Sequence, residues 1–283
     1  MAYLLCFGLG YSARTLAARL VADGWRIGGT SRNPAEPAEY DCRRFDRDHP
    51  LEVIAFAGVT HVLVSVPPDE RGDPVLDRHR RDIAALPGLR WLGYLSTTGV
   101  YGDRGGDWVD ETSELRPSGE RGRRRVAAEA GWLGLWRERD VPVHIFRLAG
   151  IYGPRRSPFD ALRAGTAKRI DRPGQVFSRI HVEDLASVLQ ASIARPRPGG
   201  VYNVCDNEPA APADVVAYAA RLLGLPAPPL LPFEAADLSP MARSFYDDNK
   251  RVANALIKQE LGVKLRYPDY RAGLAAILAA ERR

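Results

Sequence analysis

The stretch Gly8-Leu9-Gly10-Tyr11-Ser12-Ala13 lies between two segments with different patterns. The segment before it, residues 2–8, is a short apolar run that ends at a glycine, which is typical of a buried strand. The segment after it, residues 12–23, carries apolar side chains at helical spacing and is followed by Gly24, so it predicts a helix. We therefore interpret residues 8–13, called the glycine turn below, as the link between a strand and a helix.

A glycine turn in this position has the features of a dinucleotide site. Gly8 permits a tight turn, Gly10 lets the backbone approach a pyrophosphate, and the small Ala13 allows the helix to pack closely on the strand. Tyr11 and Ser12 open the helix, whose free N–H groups and positive dipole end favour phosphate. We predict that these five residues bind the cofactor; a purely structural turn is the alternative.

The rest of the chain alternates between strand and helix patterns, which predicts an α/β fold of the Rossmann type with a doubly wound parallel sheet. Strands are predicted at residues 2–8, 25–30, 43–45, 61–66, 90–96, 143–148 and 201–204, the last as an extra edge of the sheet. Helices are predicted at residues 12–23, 75–86, 121–139, 182–194, 213–223, 249–261 and 270–280, with a short one from Leu51. Residues 225–232 are rich in proline and are predicted to be a linker or an extended loop. We expect a core of residues 1–150, completed by about 176–204, and a smaller, mostly helical substrate-binding region from residues 151–175 and 205–283.

Composition and charge limit the classes of function. The chain has 283 residues, of which 45% are hydrophobic and 27% charged, as in ordinary globular proteins. The net charge of +5 comes with no recognisable nucleic-acid module, so we assign it to the surface and to sites for phosphate-bearing small molecules. Three cysteines far apart in the sequence predict neither a disulfide framework nor a metal site. Because the chain starts directly with strand sequence and has no apolar run of about 18 residues, we expect a cytoplasmic protein without a membrane segment.

The end of the second strand indicates which dinucleotide is bound. Sites for NAD usually carry Asp or Glu there to hold the ribose hydroxyls, whereas this chain has Thr30, Ser31 and Arg32. A guanidinium can face a 2′-phosphate, so Ser31 and Arg32 favour NADP over NAD; the alternative is a solvated loop arginine. Asp46, after the third strand, is a candidate adenine contact or, equally, a cap for the helix expected near Pro50.

Several sequence blocks resemble one superfamily. They are Leu95–Gly102 (LSTTGVYG), Arg147–Pro154 (RLAGIYGP), Ile180–Ala186 (IHVEDLA) and Tyr202–Val204 (YNV). In this order and with the glycine turn, they resemble the extended short-chain dehydrogenase/reductase superfamily, in its NAD-dependent epimerase/dehydratase group. The resemblance covers nearly the whole chain and implies the same fold.

The resemblance also implies roles for individual residues. Thr97 aligns with the Ser or Thr that hydrogen-bonds the reacting oxygen of the substrate, and Tyr152 begins a block that lies beside the nicotinamide. Residues 64–68 stand in place of the family's usual small-residue turn after the fourth strand, which is a departure from its pattern; Ser65, Val66 and Pro67 are candidate cofactor contacts there. His181 and Asp184 are implied to hold a loop of the substrate-binding region; a core histidine and a helix-capping carboxylate are the alternative.

The chain departs from the family at the catalytic Tyr-x-x-x-Lys. Arg121 falls at the tyrosine position and Arg125 at the lysine position. Arginine stays protonated in proteins, so Arg121 cannot act as a proton donor, although Arg125 can still bind the nicotinamide ribose. The chain therefore resembles the atypical members of the superfamily.

Three interpretations of the run Arg121–Arg125 remain open. The arginines form a solvated helix face; or Arg121 and Arg125, four residues apart and on one face, point into the cleft and bind an anionic substrate; or Tyr101 or Tyr152 has taken over acid catalysis. The position in the fold predicts that Arg125 faces the cofactor and that Arg123–Arg124 face water.

Two functions are compatible with these observations. The first is an NADP-dependent oxidoreductase or epimerase/dehydratase acting on a small polar or sugar-derived substrate. The second is a non-catalytic dinucleotide-binding sensor or regulator that has lost the Tyr-x-x-x-Lys chemistry. We expect a small-molecule substrate and neither nucleic acid nor membrane as a partner. The resemblance adds a possible homodimer formed through the helices at 121–139 and 75–86.

Overall fold

The computed structural model describes residues 1–34 and 40–282. Its strands are β1 (Tyr3–Phe7), β2 (Arg26–Ser31), β3 (Asp41–Arg44), β4 (His61–Val64), β5 (Trp91–Thr97), β6 (Trp108–Val109), β7 (Val143–Leu148), β8 (Gly150–Tyr152), β9 (Arg169–Asp171), β10 (Arg179–His181), β11 (Val201–Val204), β12 (Leu230–Pro232) and β13 (Arg251–Val252). Its α-helices are α1 (Tyr11–Ala22), α2 (Pro74–Ala84), α3 (Glu120–Arg139), α4 (Pro158–Arg163), α5 (Val182–Ala194), α6 (Pro212–Leu223), α7 (Pro240–Ser244), α8 (Ala255–Gln259) and α9 (Tyr270–Glu281). Short 3₁₀ helices cover Val53–Phe56, Thr98–Tyr101, Phe233–Ala235 and Phe245–Asp247.

The centre of the fold is a seven-stranded parallel sheet in the order β11-β7-β5-β4-β1-β2-β3. This confirms the predicted α/β Rossmann-type fold, with β11 at the edge of the sheet. The order of the strands reverses between β1 and β4, where consecutive connections run to opposite sides. In such sheets ligands bind outside the carboxyl ends of the strands at this switch point, which places the glycine turn at the expected crevice.

Both faces of the sheet are buried, and the side chains of each strand alternate between the two faces. In β1, Leu4 and Cys6 join the cluster that packs under α1 and α5, whereas Leu5 and Phe7 join the cluster under α2 and α3. The first cluster also takes in the segment from Ile257 to Val263, which comes from the C-terminal part of the chain. The strands therefore read as continuous apolar runs, as expected for a sheet covered on both sides.

The smaller region has its own apolar cluster, built from α4, α6 and α9 around Phe159, Ala219 and Leu274. Three pairs of short parallel strands, β10–β8, β12–β9 and β13–β6, lie outside the main sheet. The segment at residues 225–232, predicted to be a linker or an extended loop, ends in the short strand β12.

The predicted helix at residues 249–261 is wrong over its first half. Arg251 N donates to Asp107 O at 2.9 Å and Ala253 N donates to Val109 O at 2.8 Å, so this segment pairs as β13 with β6. Only residues 255–259 form a helix. The short helix predicted from Leu51 is a 3₁₀ turn that begins at Val53.

Helices α2 and α3 lie side by side on one face of the sheet, where Arg80 Nη2 donates to Gly131 O at 3.2 Å. They would supply the surface of the homodimer that the resemblance implies, which stays a prediction. Among the described residues, no helix is long and apolar enough to cross a membrane. The predicted cytoplasmic location is not tested by this finding.

Candidate functional site

Gly8 starts the glycine turn in a conformation that side chains disfavour. Its φ is +87°, and a Cβ at this position would lie 2.6 Å from Ser65 Oγ and 3.2 Å from a methyl of Val66. Ser65 Oγ donates to Gly8 O at 2.5 Å, and Gly8 N donates to Thr30 Oγ1 at 2.9 Å. The ends of β1, β2 and β4 are therefore tied together at Gly8, with Pro67 exposed beside them.

Gly10 caps the N-terminus of α1 in a different way. Its φ of −92° suits any residue, no side chain caps the helix, and the first turn contains no acidic residue. A Cβ at Gly10 would meet no atom within 4 Å, and Ser12 and Ala13 are buried behind it. An uncapped helix end with open space before it fits the pyrophosphate of a dinucleotide, because N–H groups and the helix dipole both favour an anion there.

Tyr11 connects the glycine turn to the block at residues 152–154. Its hydroxyl donates to Pro154 O at 3.0 Å, and a Cβ on Gly153 would lie 2.4 Å from that hydroxyl oxygen. Two stretches far apart in the sequence, both predicted to border the cofactor, thus meet in space. Tyr152 itself is buried, its hydroxyl donates to Asp269 O at 3.3 Å, and burial raises its pKa.

The end of β2 keeps both interpretations of Arg32 open. Ser31 is half-buried and its Oγ accepts a hydrogen bond from Asn33 N at 3.2 Å. Arg32 is exposed and forms no ion pair with any acidic residue in ranges 1–34 and 40–282. Its contact with a 2′-phosphate stays a prediction.

Asp46 shapes a tight turn. Its Oδ1 accepts from the backbone N–H groups of Asp48 and His49, at 2.9 and 3.0 Å, and lies 2.7 Å from His49 Nδ1. The hydrogen bond with His49 is the main cause that lowers the pKa of Asp46 to about 2. The alternative that Asp46 caps a helix near Pro50 is wrong, because no helix begins there; its adenine contact stays a prediction.

Thr97 stands at the carboxyl end of β5. Its Oγ1 accepts from Gly99 N at 3.1 Å and so caps the 3₁₀ turn Thr98–Tyr101. The residue is half-buried. Since a threonine hydroxyl also has a donor hydrogen, Thr97 retains the capacity to donate to a substrate oxygen.

A buried polar network supports the Thr97 turn from below. Arg147 Nη2 on β7 pairs with Glu129 Oε2 on α3 at 2.8 Å, and only 6% and 2% of these side chains are exposed. Ser96 Oγ donates to Glu129, Arg147 Nη1 donates to Tyr101 Oη at 2.9 Å, and Tyr101 donates to Asn203 Oδ1 at 2.7 Å. The sequence analysis did not predict the ion pair between Glu129 and Arg147. A glutamate on the buried face of a helix and an arginine within an apolar strand could have indicated it.

This network argues against Tyr101 as a substitute acid. Its hydroxyl is held between Arg147 and Asn203, the residue is fully buried, and burial raises its pKa to about 12. Tyr152 is likewise bonded to backbone inside the protein.

The run Arg121–Arg125 divides between the outer surface of α3 and its inner side, and the prediction that Arg125 faces a cofactor stays a prediction. Arg123 and Arg124 pair with Glu120 at 2.9 and 3.4 Å on the outer face of α3. Arg125 turns inward instead: its Nη1 donates to Leu95 O at 2.6 Å and to Tyr94 Oη at 3.0 Å, two residues before Thr97.

Arg121 points towards the smaller region. Its guanidinium carbon lies 5.7 Å from the centre of the Phe245 ring. The next residue, Gly122, fixes the approach of α3, since a Cβ there would lie 2.9 Å from Gly99 O. The first turn of α3 is therefore pressed against the turn that Thr97 caps.

Asp184 and His181 have the roles implied by the resemblance only in part. Both oxygens of Asp184 accept backbone hydrogen bonds, from Arg266 N and Tyr267 N at 2.8 Å each, and so hold a loop of the smaller region. His181 is buried, and its Nδ1 accepts from Glu183 N at 3.2 Å as the cap of α5. Burial lowers the pKa of His181 to about 4, which leaves it neutral at physiological pH.

Two curated proteins align with nearly the whole chain. Protein YeeZ of Escherichia coli (strain K12) is 29% identical over 283 residues, covering 93% of this chain and 95% of its own length. A 3-diazoavenalumate denitrifying reductase of Streptomyces sp is 26% identical over 313 residues, covering 97% of this chain and 99% of that protein. No family model matches the chain.

Solved structures share the fold over its full length. A functionally unknown conserved protein from Silicibacter pomeroyi DSS is 55% identical, with a TM-score of 0.92 and 99% of each chain covered. A putative NAD-dependent epimerase/dehydratase from Methylobacillus flagellatus is 26% identical, with a TM-score of 0.74 over 100% of this chain and 99% of that one. MoeE5 in complex with UDP-glucose and NAD is 20% identical, with a TM-score of 0.79 and the same coverage. The sheet order and these neighbours show that the chain has the fold of the NAD-dependent epimerases and dehydratases, as the resemblance of its sequence blocks implies.

Proposed function

We propose that the chain is a nicotinamide-dinucleotide-dependent oxidoreductase that prefers NADP(H) and acts on a small polar substrate. The observation that carries the proposal is the uncapped N-terminus of α1 behind Gly10, at the same sheet edge as Thr97. The substrate would lie between this edge and the smaller region. The neighbours that contain NAD, and the relative that is a reductase, support the same class of chemistry.

The preference for NADP(H) rests on the end of β2. That position has Ser31 and the exposed Arg32 where an NAD site usually has a carboxylate. A planar guanidinium can bind a 2′-phosphate through two parallel hydrogen bonds.

The roles of the remaining residues follow from their positions. The bound cofactor would supply or accept a hydride. Thr97 would orient the reacting oxygen through its hydroxyl, and Arg125, which has N–H groups beyond the one on Leu95 O, would hold the nicotinamide ribose. Arg121 cannot relay a proton. This favours hydride transfer over the chemistry of an epimerase that depends on a tyrosine-like proton relay.

The cofactor proposal is tested by titrating the purified protein with NADPH and NADH and following nicotinamide fluorescence. Arg32→Ala should weaken NADPH binding by about ten- to a hundred-fold, the effect of losing one charge-assisted contact of about 1.5–3 kcal/mol. NADH binding should not change, and Arg78→Ala, an exposed arginine on α2, serves as the matched control. Equal affinity for NADH and NADPH would contradict the preference, and binding of neither would contradict the proposed function.

Turnover separates the enzyme from the alternative of a non-catalytic sensor. An enzyme should consume NADPH absorbance with some member of a carbonyl, conjugated-carbonyl or diazo panel, and Thr97→Ala should abolish the reaction. A sensor should change conformation or oligomeric state with NADP(H) and turn over no substrate. Activity that survives both Thr97→Ala and Arg125→Ala would overturn the placement of the active site.

A further inference from the structure

We propose that Arg121 and Phe245 form the subsite that selects the substrate, and that this substrate is a small organic carboxylate with a planar apolar body. Arg121 would bind the carboxylate and Phe245 would cover the body. The inference rests on the proposed function, since it assumes that a substrate is bound beside Thr97. It adds a charge and a shape to that substrate.

The first argument is position. Arg121 lies in the first turn of α3, which the close approach of Gly122 to Gly99 O presses against the turn capped by Thr97. Arg125, one turn later on the same face, is bonded to Leu95 O. The Arg121 guanidinium thus extends from the Thr97 turn towards the smaller region, across the place where the substrate is expected.

The second argument is charge. The neighbouring arginines in the run are already paired: Arg123 and Arg124 with Glu120, and Arg125 with a backbone carbonyl and Tyr94. Within the described part of the chain, Arg121 forms no ion pair, and its guanidinium lies over the face of the Phe245 ring. A guanidinium that stacks on an aromatic ring keeps its in-plane N–H donors available, and their geometry matches a carboxylate.

The third argument is the apolar surface next to this cation. Phe245 is 55% exposed, and Met241, one helical turn earlier, is 62% exposed. Tyr246 points the other way and is buried against Phe177 and Phe233, with ring centres 5.2 Å from each, so the segment is anchored with Phe245 outward. Phe245 thus offers exposed apolar surface next to the Arg121 guanidinium.

These features favour a monoanion with an apolar body over a sugar nucleotide. One guanidinium matches one carboxylate, whereas a diphosphate brings more negative charge than Arg121 alone balances. A flat aromatic or conjugated body can stack on the exposed Phe245 ring.

The test uses cinnamate and its neutral counterpart cinnamamide, titrated into the full-length protein with NADPH bound and followed by saturation-transfer NMR. The wild type should bind cinnamate at least ten-fold more tightly than cinnamamide. Arg121→Gln should remove this discrimination, Arg121→Lys should retain part of it, and Phe245→Ala should weaken both ligands. Arg123→Gln, which alters the same helical turn on its outer face, is the control and should behave as the wild type.

Three results would overturn the inference: no binding of cinnamate, equal binding of acid and amide by the wild type, or discrimination that survives in Arg121→Gln. The NADPH affinity of each variant is measured in parallel and should stay within two-fold of the wild type. Failure of the wild type to bind NADPH would instead refute the proposed function, so the two failures are distinguishable.

Discussion

Glu129→Gln removes one charge from the buried pair between α3 and β7 while it keeps the shape of the side chain. Glu129 is the acidic partner of Arg147, with Nη2 and Oε2 2.8 Å apart and both side chains almost fully buried. In the variant the Arg147 guanidinium keeps its charge but loses the compensating carboxylate. Ser96, which donates to the same carboxylate, loses a charge-assisted hydrogen bond as well.

The magnitude follows from the burial. Removing one partner of a buried ion pair costs about 3–5 kcal/mol of unfolding free energy. For a chain of this size each kcal/mol lowers Tm by about 2–3 °C, so Tm should fall by roughly 6–15 °C. The control is Glu120→Gln on the same helix, whose partners Arg123 and Arg124 are at the surface, and it should cost at most about 1 kcal/mol.

Urea unfolding and thermal melts of both variants provide the measurement. The double variant Glu129→Gln/Arg147→Met should lose less stability than the two single variants added together, because it leaves no uncompensated charge. A loss for Glu129→Gln no larger than that for Glu120→Gln would refute the reasoning that this pair is energetically coupled.

Three further predictions concern separate parts of the molecule. Gly10→Ala should change the free energy of unfolding by no more than about 1 kcal/mol, since its Cβ would meet no atom of the protein. The same variant should weaken NADPH binding at least ten-fold, whereas the control Gly88→Ala should change neither quantity. An unaltered NADPH affinity in Gly10→Ala would contradict the proposed site. Burial raises the pKa of Asp206 to about 7 from 3.8, so its contribution to stability is complete below about pH 4 and is lost as the pH rises to about 7. Asp206→Asn should therefore raise Tm more at pH 8 than at pH 5, and an equal change at both values would count against this assignment. Asp184→Ala removes the acceptor of two backbone N–H groups, so the amides of residues 266–267 should exchange hydrogen faster, and unchanged protection would disprove that anchoring role.

The core elements could be predicted because their signals are local. The bounds of β7, α5 and β11 agree with the sequence patterns, since each is a regular apolar or amphipathic run with clear ends. The division of the arginine run could also be predicted, because residues four apart share one face of a helix. The glycine turn was identified from its place between a strand and a helix.

The parts that were missed depend on partners far away in the sequence. Residues 249–261 have a helical apolar pattern, but Arg251 and Val252 are held as a strand by β6, whose hydrogen bonds no local pattern encodes. The pairing of Glu129 with Arg147 and the contact of Arg121 with Phe245 each join segments that only the folded chain brings together. The helix cap, one of the two alternatives for Asp46, is wrong because its carboxylate instead holds the turn to His49, a bond that no local pattern indicates.

The position of Ile257, Leu261 and Val263 in the cluster under α1 and α5 has a consequence for how the protein is made. A parallel sheet has no hairpins, so its pairs join residues distant in the chain; the edge pair of β7 and β11 joins Ile145 and Val201. A ribosome must therefore synthesise about nine-tenths of the polypeptide before one face of the sheet can be covered. Until then the nascent chain exposes apolar surface, and a protein shortened before residue 255 should aggregate instead of folding as an isolated Rossmann domain.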